Sequence, residues 1–178
     1  MQPSYKHYLK IIKNTCTGHE GPVTIPSEEL ADLARLAEEH CTVPFVLSSF
    51  RGTPFYSSIL QRTRSMMLNY YQIDQFTRHT VSLLEDNGID CILLKGISLA
   101  SCYPVPEYRK LGDLDLYISR KSDISKAQKL LESHGYIAEN ELSDHHLTYH
   151  YMFPKTGRKF LLELHYRVVG IYQYERAN

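Results

Sequence analysis

Asp113 and Asp115 stand two residues apart inside an apolar run that also holds Leu114, Leu116, Tyr117 and Ile118. In a β-strand, side chains two residues apart point to the same face, so both carboxylates would project together while Leu114 and Leu116 face a core. Two carboxylates a few ångströms apart repel each other unless a proton or a cation sits between them. A divalent metal with oxygen ligands is the usual occupant. Upstream, the apolar run Ile92-Leu93-Leu94 ends in Lys95-Gly96 and is followed by Ile97-Ser98. A glycine at a strand-to-helix turn lets backbone N–H groups approach a phosphate, and Ser98 would add a hydroxyl donor. Phosphate cradle and metal carboxylates, in that order, suggest chemistry on a nucleotide. An Asp-x-Asp alone is a weak motif, better explained by an exposed strand edge with two solvated acids.

A third carboxylate strengthens the chemical reading. Glu163 lies between Leu162 and Leu164, which would point the other way on a strand. Beside Asp113 and Asp115 it would complete a site able to hold two Mg²⁺ or Mn²⁺ ions, one on nucleotide phosphates and one lowering the pKa of an attacking hydroxyl. Glu163 is then also a candidate general base, or the group that orients an acceptor. Lys95 suits a triphosphate as a point charge and suits a solvated strand end equally. His145, His146, His150 and His165 form the other cluster. Their spacing fits no standard zinc pattern and the cysteines do not join them. His165, two residues past Glu163, is read as lining the active face, where it and His146 would bind phosphate or acceptor. His145 is read as surface.

These residues carry a resemblance. LLKGISLASCY, then RKLGDLDLY, then LLELHY, resemble the polymerase-β-like nucleotidyltransferase superfamily, and within it a bacterial family of uncharacterised nucleotidyltransferases. The likeness covers residues from about Gly88 to Val169. It implies that Asp113, Asp115 and Glu163 bind metal and act in catalysis, and that Lys95, Gly96 and Ser98 bind the nucleotide. It includes Arg109 as well, whose guanidinium fork suits a phosphate or a substrate carboxylate. The superfamily's Gly-Ser pair is spread here into Gly96-Ile97-Ser98. Family members usually continue into a further helical region, so a shortened member or a fragment is expected.

The 178 residues suffice for a real core, and 43% hydrophobic with 22% charged residues is ordinary for a globular chain. A formal net charge of zero offers no electrostatic footprint for nucleic acid or an anionic membrane, which favours a compact substrate. Four cysteines without C-x-x-C spacing fit a reducing cytoplasm. No apolar run reaches the length of a membrane span.

The elements follow from periodicity. Tyr5 to Lys13 has helical spacing, Thr15 to Pro26 reads as a loop, and Ser27 opens a helix with Leu30, Leu33, Ala34 and Ala37 on one face. Val43 to Phe50 fits helix or strand. A long helical pattern runs from Pro54 to Asn87, with Phe55, Ile59, Met66, Tyr70, Ile73, Thr77 and Leu84 near one stripe and Asn87-Gly88 as its stop. After Gly88 come a buried strand over Ile89 to Leu94, a short helix over Gly96 to Tyr103, and the carboxylate strand over Asp113 to Ser119. A helix over Ser122 to His134 follows, then a short strand at Tyr136 to Ala138. Strands over His146 to Phe153 and Phe160 to Val169 flank a hairpin turn at Lys155 to Arg158.

The expected fold is α+β: a small mixed β-sheet with helices on one face over residues 88–178, preceded by a helical region over residues 1–87. The expected activity is Mg²⁺-dependent transfer of a nucleoside monophosphate from a nucleoside triphosphate to a small-molecule or protein acceptor, releasing pyrophosphate. A non-catalytic nucleotide-binding or interaction module with the same fold is the alternative.

Overall fold

A computed structural model describes residues 3–18, 23–139, 143–154 and 157–168. Its elements run α1 (Pro3–Cys16), α2 (Leu30–Glu39), α3 (Val43–Val46), α4 (Tyr56–Glu85), β1 (Ile92–Leu93), β2 (Leu114–Tyr117), α5 (Lys121–Ser133), β3 (Ile137–Ala138), β4 (His146–Met152) and β5 (Lys159–His165). Short 3-10 helices cover Ser27–Glu29, Leu47–Phe50, Gly96–Cys102 and Pro106–Tyr108. The expected α+β class with a mixed sheet stands. Residues 155 and 156 of the expected hairpin turn, and Val169, lie outside the described residues. Among the described residues, no helix is long and apolar enough to cross a membrane.

The chain divides into two compact units, Met1–Tyr71 with Leu99–Lys110, and Gln72–Ser98 with Leu111–Asn178. The first is helical. Leu30, Leu33, Ala34 and Ala37 recur at helical spacing on α2 and are buried with Tyr8 and Ile11 of α1, Val43 and Val46 of α3, Phe50 and Ile59. Val43 to Phe50, ambiguous as a short apolar run, becomes one α turn followed by a 3-10 turn. Pro44 in the first turn loses no hydrogen bond there, because its missing N–H would be unsatisfied anyway.

The second unit is built around a five-stranded sheet in the order β1-β2-β5-β4-β3. β2 and β5 are parallel, and the other neighbouring pairs are antiparallel. α4 enters it from Gln72 onward and ends where Asn87-Gly88 predicts. Gly88, at φ +69°, takes the left-handed conformation that only glycine adopts cheaply. The Gly88 N–H then donates to Glu85 O at 2.8 Å and the Ile89 N–H to Leu84 O at 3.0 Å, a Schellman closure with Leu84 and Ile89 both buried. α5 closes the same way, through Gly135 to Glu132 and Tyr136 to Leu131.

One face of this sheet is apolar. Leu114 and Leu116 of β2, Phe160, Leu162 and Leu164 of β5, and Tyr149 of β4 are buried. Phe76 of α4 covers that face, its ring 5.0 Å from Phe160 and 5.8 Å from Tyr151. Tyr136 stacks on Tyr151 at 4.4 Å and shares a 2.8 Å hydrogen bond with Thr80, which satisfies its buried hydroxyl. The expected buried strand over Ile89 to Leu94 is different in extent and exposure. Ile89 is buried, but the strand proper is two residues at the sheet edge, with Ile92 54% and Leu93 36% exposed. An edge strand paired on one side only has less of its surface covered.

Candidate active site

Alternation puts the chemistry on the opposite face. Register pairs Asp115 with Glu163 across β2–β5 and Glu163 with Thr148 across β5–β4. Two residues on, Tyr117, His165 and His146 form the next row. Paired residues point the same way, so two of the acids and two of the histidines share one face by backbone pairing alone.

The Asp115 side chain is fully buried, and its Oδ1 receives a hydrogen bond from His165 Nε2 at 3.1 Å and an ion pair from Lys95 Nζ at 3.0 Å. His165 Nε2 also lies 3.3 Å from Glu163 Oε2, and Lys95 Nζ 4.0 Å from the same oxygen. Ligand atoms of Asp115, Glu163 and His165 all fall within 4.8 Å of one another. Two carboxylate charges at that separation repel by about 3–4 kcal/mol at an effective dielectric of about 20. The lysine and the imidazole N–H offset that repulsion. Burial pushes the Asp115 carboxyl up, and the hydrogen bonds from His165 and Lys95 outweigh it, leaving the group below the usual aspartate range. Lys95 is pushed up in turn, chiefly by its hydrogen bond to Asp115.

Asp115 Oδ2 is buried with no hydrogen-bond partner. A buried acceptor without a donor costs about 1–3 kcal/mol, so this atom is kept at an expense that a cation would remove. The space beside it comes from Gly96. At φ +62°, a Cβ on Gly96 would lie 3.8 Å from Asp115 Oδ2 and 3.7 Å from Asp113 O. The donor set of two carboxylates beside an open glycine turn fits a hard divalent cation with oxygen ligands.

The other expected residues are placed as follows. Asp113 is half-buried just before the first residue of β2, and it stands outside the close group of Asp115, Glu163 and His165. The Ser98 hydroxyl, in the 3-10 turn, donates to the carbonyls of Leu94 and Lys95 just before that turn. Arg109 belongs to the helical unit. There its guanidinium donates to Tyr103 Oη at 3.1 Å and lies over that ring at 5.5 Å. With His40, Lys110, Tyr108 and three cysteines it lines a cavity of about 610 Å³ in that unit.

His146 is half-buried, its pKa lowered first by that burial. His145, expected at the surface, is half-buried too, its ring 4.3 Å from His146 and 5.7 Å from His165. The pairing of β4 with β5 continues past the strand end, where Tyr166 and Arg167 N–H donate to His145 O. That extension folds His145 in, and no periodicity in the sequence signals it. His150 pairs instead with Glu139.

A family model described as uncharacterised nucleotidyltransferase matches residues 26–177. The chain belongs to that family. Among curated proteins, none matches it.

Proposed function

We propose that the face bearing Asp115 and Glu163 binds a nucleoside triphosphate with Mg²⁺ or Mn²⁺ and transfers its nucleoside monophosphate to an acceptor hydroxyl. The observation that carries this reading is the buried, unpartnered Asp115 Oδ2, set in register with Glu163 and opposite the glycine turn. Asp115 and Glu163 would hold the ion, with Asp113 approaching from the start of β2. Bound there, the ion supplies charge neutralisation of the phosphates and acidifies the acceptor hydroxyl.

The chain's own residues have distinct tasks. Lys95, more than half exposed and at the strand end, could turn from Asp115 toward the phosphate oxygens of a bound nucleotide. The Gly96 turn brings backbone close to the same phosphates, and Ser98 stiffens that turn through its two carbonyl bonds. His165, in the next row of the same face, holds both carboxylates through Nε2. The acceptor oxygen attacks the α-phosphorus, the bond to the bridging oxygen breaks, and pyrophosphate leaves. Glu163, 20% exposed, would take the acceptor proton. The acceptor is a small molecule or a protein side chain.

The test is incubation of the four α-labelled nucleoside triphosphates with Mg²⁺, the protein and pools of hydroxyl-bearing small molecules and proteins. Labelled acceptor together with pyrophosphate is the expected product pair. Release of nucleoside diphosphate would instead mean transfer of the terminal phosphoryl group. Binding of nucleotide with no product from any pool would favour the non-catalytic module.

A further inference from the structure

The three histidines His145, His146 and His165 have a property that carboxylate chemistry does not use. One ring nitrogen from each lies within 4.8 Å of the others. In every ring, one nitrogen is tied to an oxygen and the other is left over. His145 Nδ1 is 2.7 Å from Asp144 Oδ1, His146 Nδ1 is 3.1 Å from Ser143 Oγ, and His165 Nε2 faces Asp115 and Glu163. Among the described residues, neither Nε2 of His145 and His146 has a hydrogen-bond partner, and His165 Nδ1 is buried without one. The His165 side chain is only 5% exposed.

A metal-binding imidazole has this arrangement. Its second N–H is held by a carboxylate or another oxygen, which sets the tautomer and leaves the opposite lone pair for the ion. At His165 both acceptors of Nε2 are carboxylates, so the proton sits on Nε2 and Nδ1 carries the lone pair.

We infer that His145, His146 and His165 form a site for a divalent transition metal of the imidazole-preferring class, with Zn²⁺ its natural occupant. Zinc–nitrogen bonds of about 2.0–2.1 Å call for nitrogens about 3.4 Å apart in a tetrahedron. His145 and His146 are half-buried and His165 is buried, so ring rotations of the first two would turn their Nε2 atoms toward His165 Nδ1. Three protein ligands leave a fourth position open to water or a substrate atom. The linear spacing of these residues hides the site, because it is made by the β4–β5 register that sets His146 against His165. An ion here would lock His165 in the tautomer that donates to Asp115 and Glu163. The inference does not rest on the nucleotidyl-transfer reading.

The test uses untagged, chelator-treated full-length chain, titrated with Zn²⁺ by calorimetry and with Co²⁺ by visible absorption. The wild type is expected to bind one ion per chain, with the intense d–d bands of low-coordinate Co²⁺. His146→Gln should weaken binding about 100-fold, and Asp144→Asn about 10-fold or more through His145. Asp144 is exposed and keeps the test decisive if His146→Gln perturbs folding. His150→Gln, a histidine of the same strand engaged with Glu139, should change nothing. Absence of saturable one-to-one binding by the wild type, or binding that His146→Gln and Asp144→Asn leave intact, would overturn the inference. Mg²⁺-nucleotide binding at Asp115 would survive that failure.

Discussion

The two faces of β2 and β5 are built from alternate residues of the same short strands, yet they obey opposite rules. On one face Leu114, Leu116, Leu162 and Leu164 are buried, and the buried Tyr136 hydroxyl on that side has its partner in Thr80. On the other, Asp115 and His165 are as deeply buried, but each keeps one polar atom without a partner. The leucines contribute through area removed from water, about 1.5–3 kcal/mol for each fully buried side chain. The acids and histidine cost desolvation that only part of their hydrogen bonding offsets. Burial therefore means stability on one face and readiness for a ligand on the other.

Substitutions should separate the faces. The largest effect is expected from Asp115→Asn, which keeps the shape and removes the charge. Nucleotidyl transfer should fall on the order of 10³-fold, about 4 kcal/mol of barrier, while the far-ultraviolet circular dichroism stays that of the wild type. Unfolding by that single change would mean that the carboxylate is structural.

Leu162→Ala, one residue from Glu163 on the apolar face, should do the reverse. It should lower the unfolding free energy by about 2–5 kcal/mol in a denaturant melt, with little loss of nucleotide affinity below the transition. A change in nucleotide affinity without loss of stability would contradict the division between faces.

Gly96→Ala tests the border of the chemical face. A Cβ there meets only ordinary contacts, at 3.7 and 3.8 Å, so the cost lies mostly in the positive φ. About 1–2 kcal/mol of stability should go, with weaker nucleotide binding as the turn shifts.

Cys91 gives the smallest and most local effect. Burial, ahead of the charges of Glu85 and Asp90, pushes its thiol from 9.0 up to about 11. At pH 8 its thiolate is scarcer by roughly 100-fold than for an unshifted thiol, because each unit of pKa costs a factor of ten. With a thiol-specific chromogenic reagent, the exposed Cys16 and Cys102 should react first. Cys91 should catch up only as pH climbs toward 11. Early reaction of Cys91 would show that the start of β1 is wetter than its burial implies.

Much of this was legible in the sequence. Alternation around Leu114-Asp115-Leu116 and Leu162-Glu163-Leu164 assigns the acids to one face and the leucines to the other without any coordinates. The α2 face and the Gly88 stop of α4 were equally plain, because helical period and a left-handed glycine are local properties. What stayed hidden was non-local. Glu163 was expected beside Asp115, but the parallel register that pairs them across α5 is encoded by no local pattern. The hydrogen bond of His165 to Asp115 and the folding-in of His145 follow from the same register. The length of β1 was misread because an apolar run looks alike at an edge and in a sheet centre.

The most direct measurement is calorimetric titration of ATP, GTP, CTP and UTP in Mg²⁺ into the wild type and into the Asp115→Asn, Glu163→Gln double variant. Binding of one nucleotide that requires Mg²⁺ and disappears in the folded double variant is the expected result. Binding that persists unchanged in that variant, or a well-folded wild type that binds none of the four, would contradict the assignment of this face to a metal-bound nucleotide.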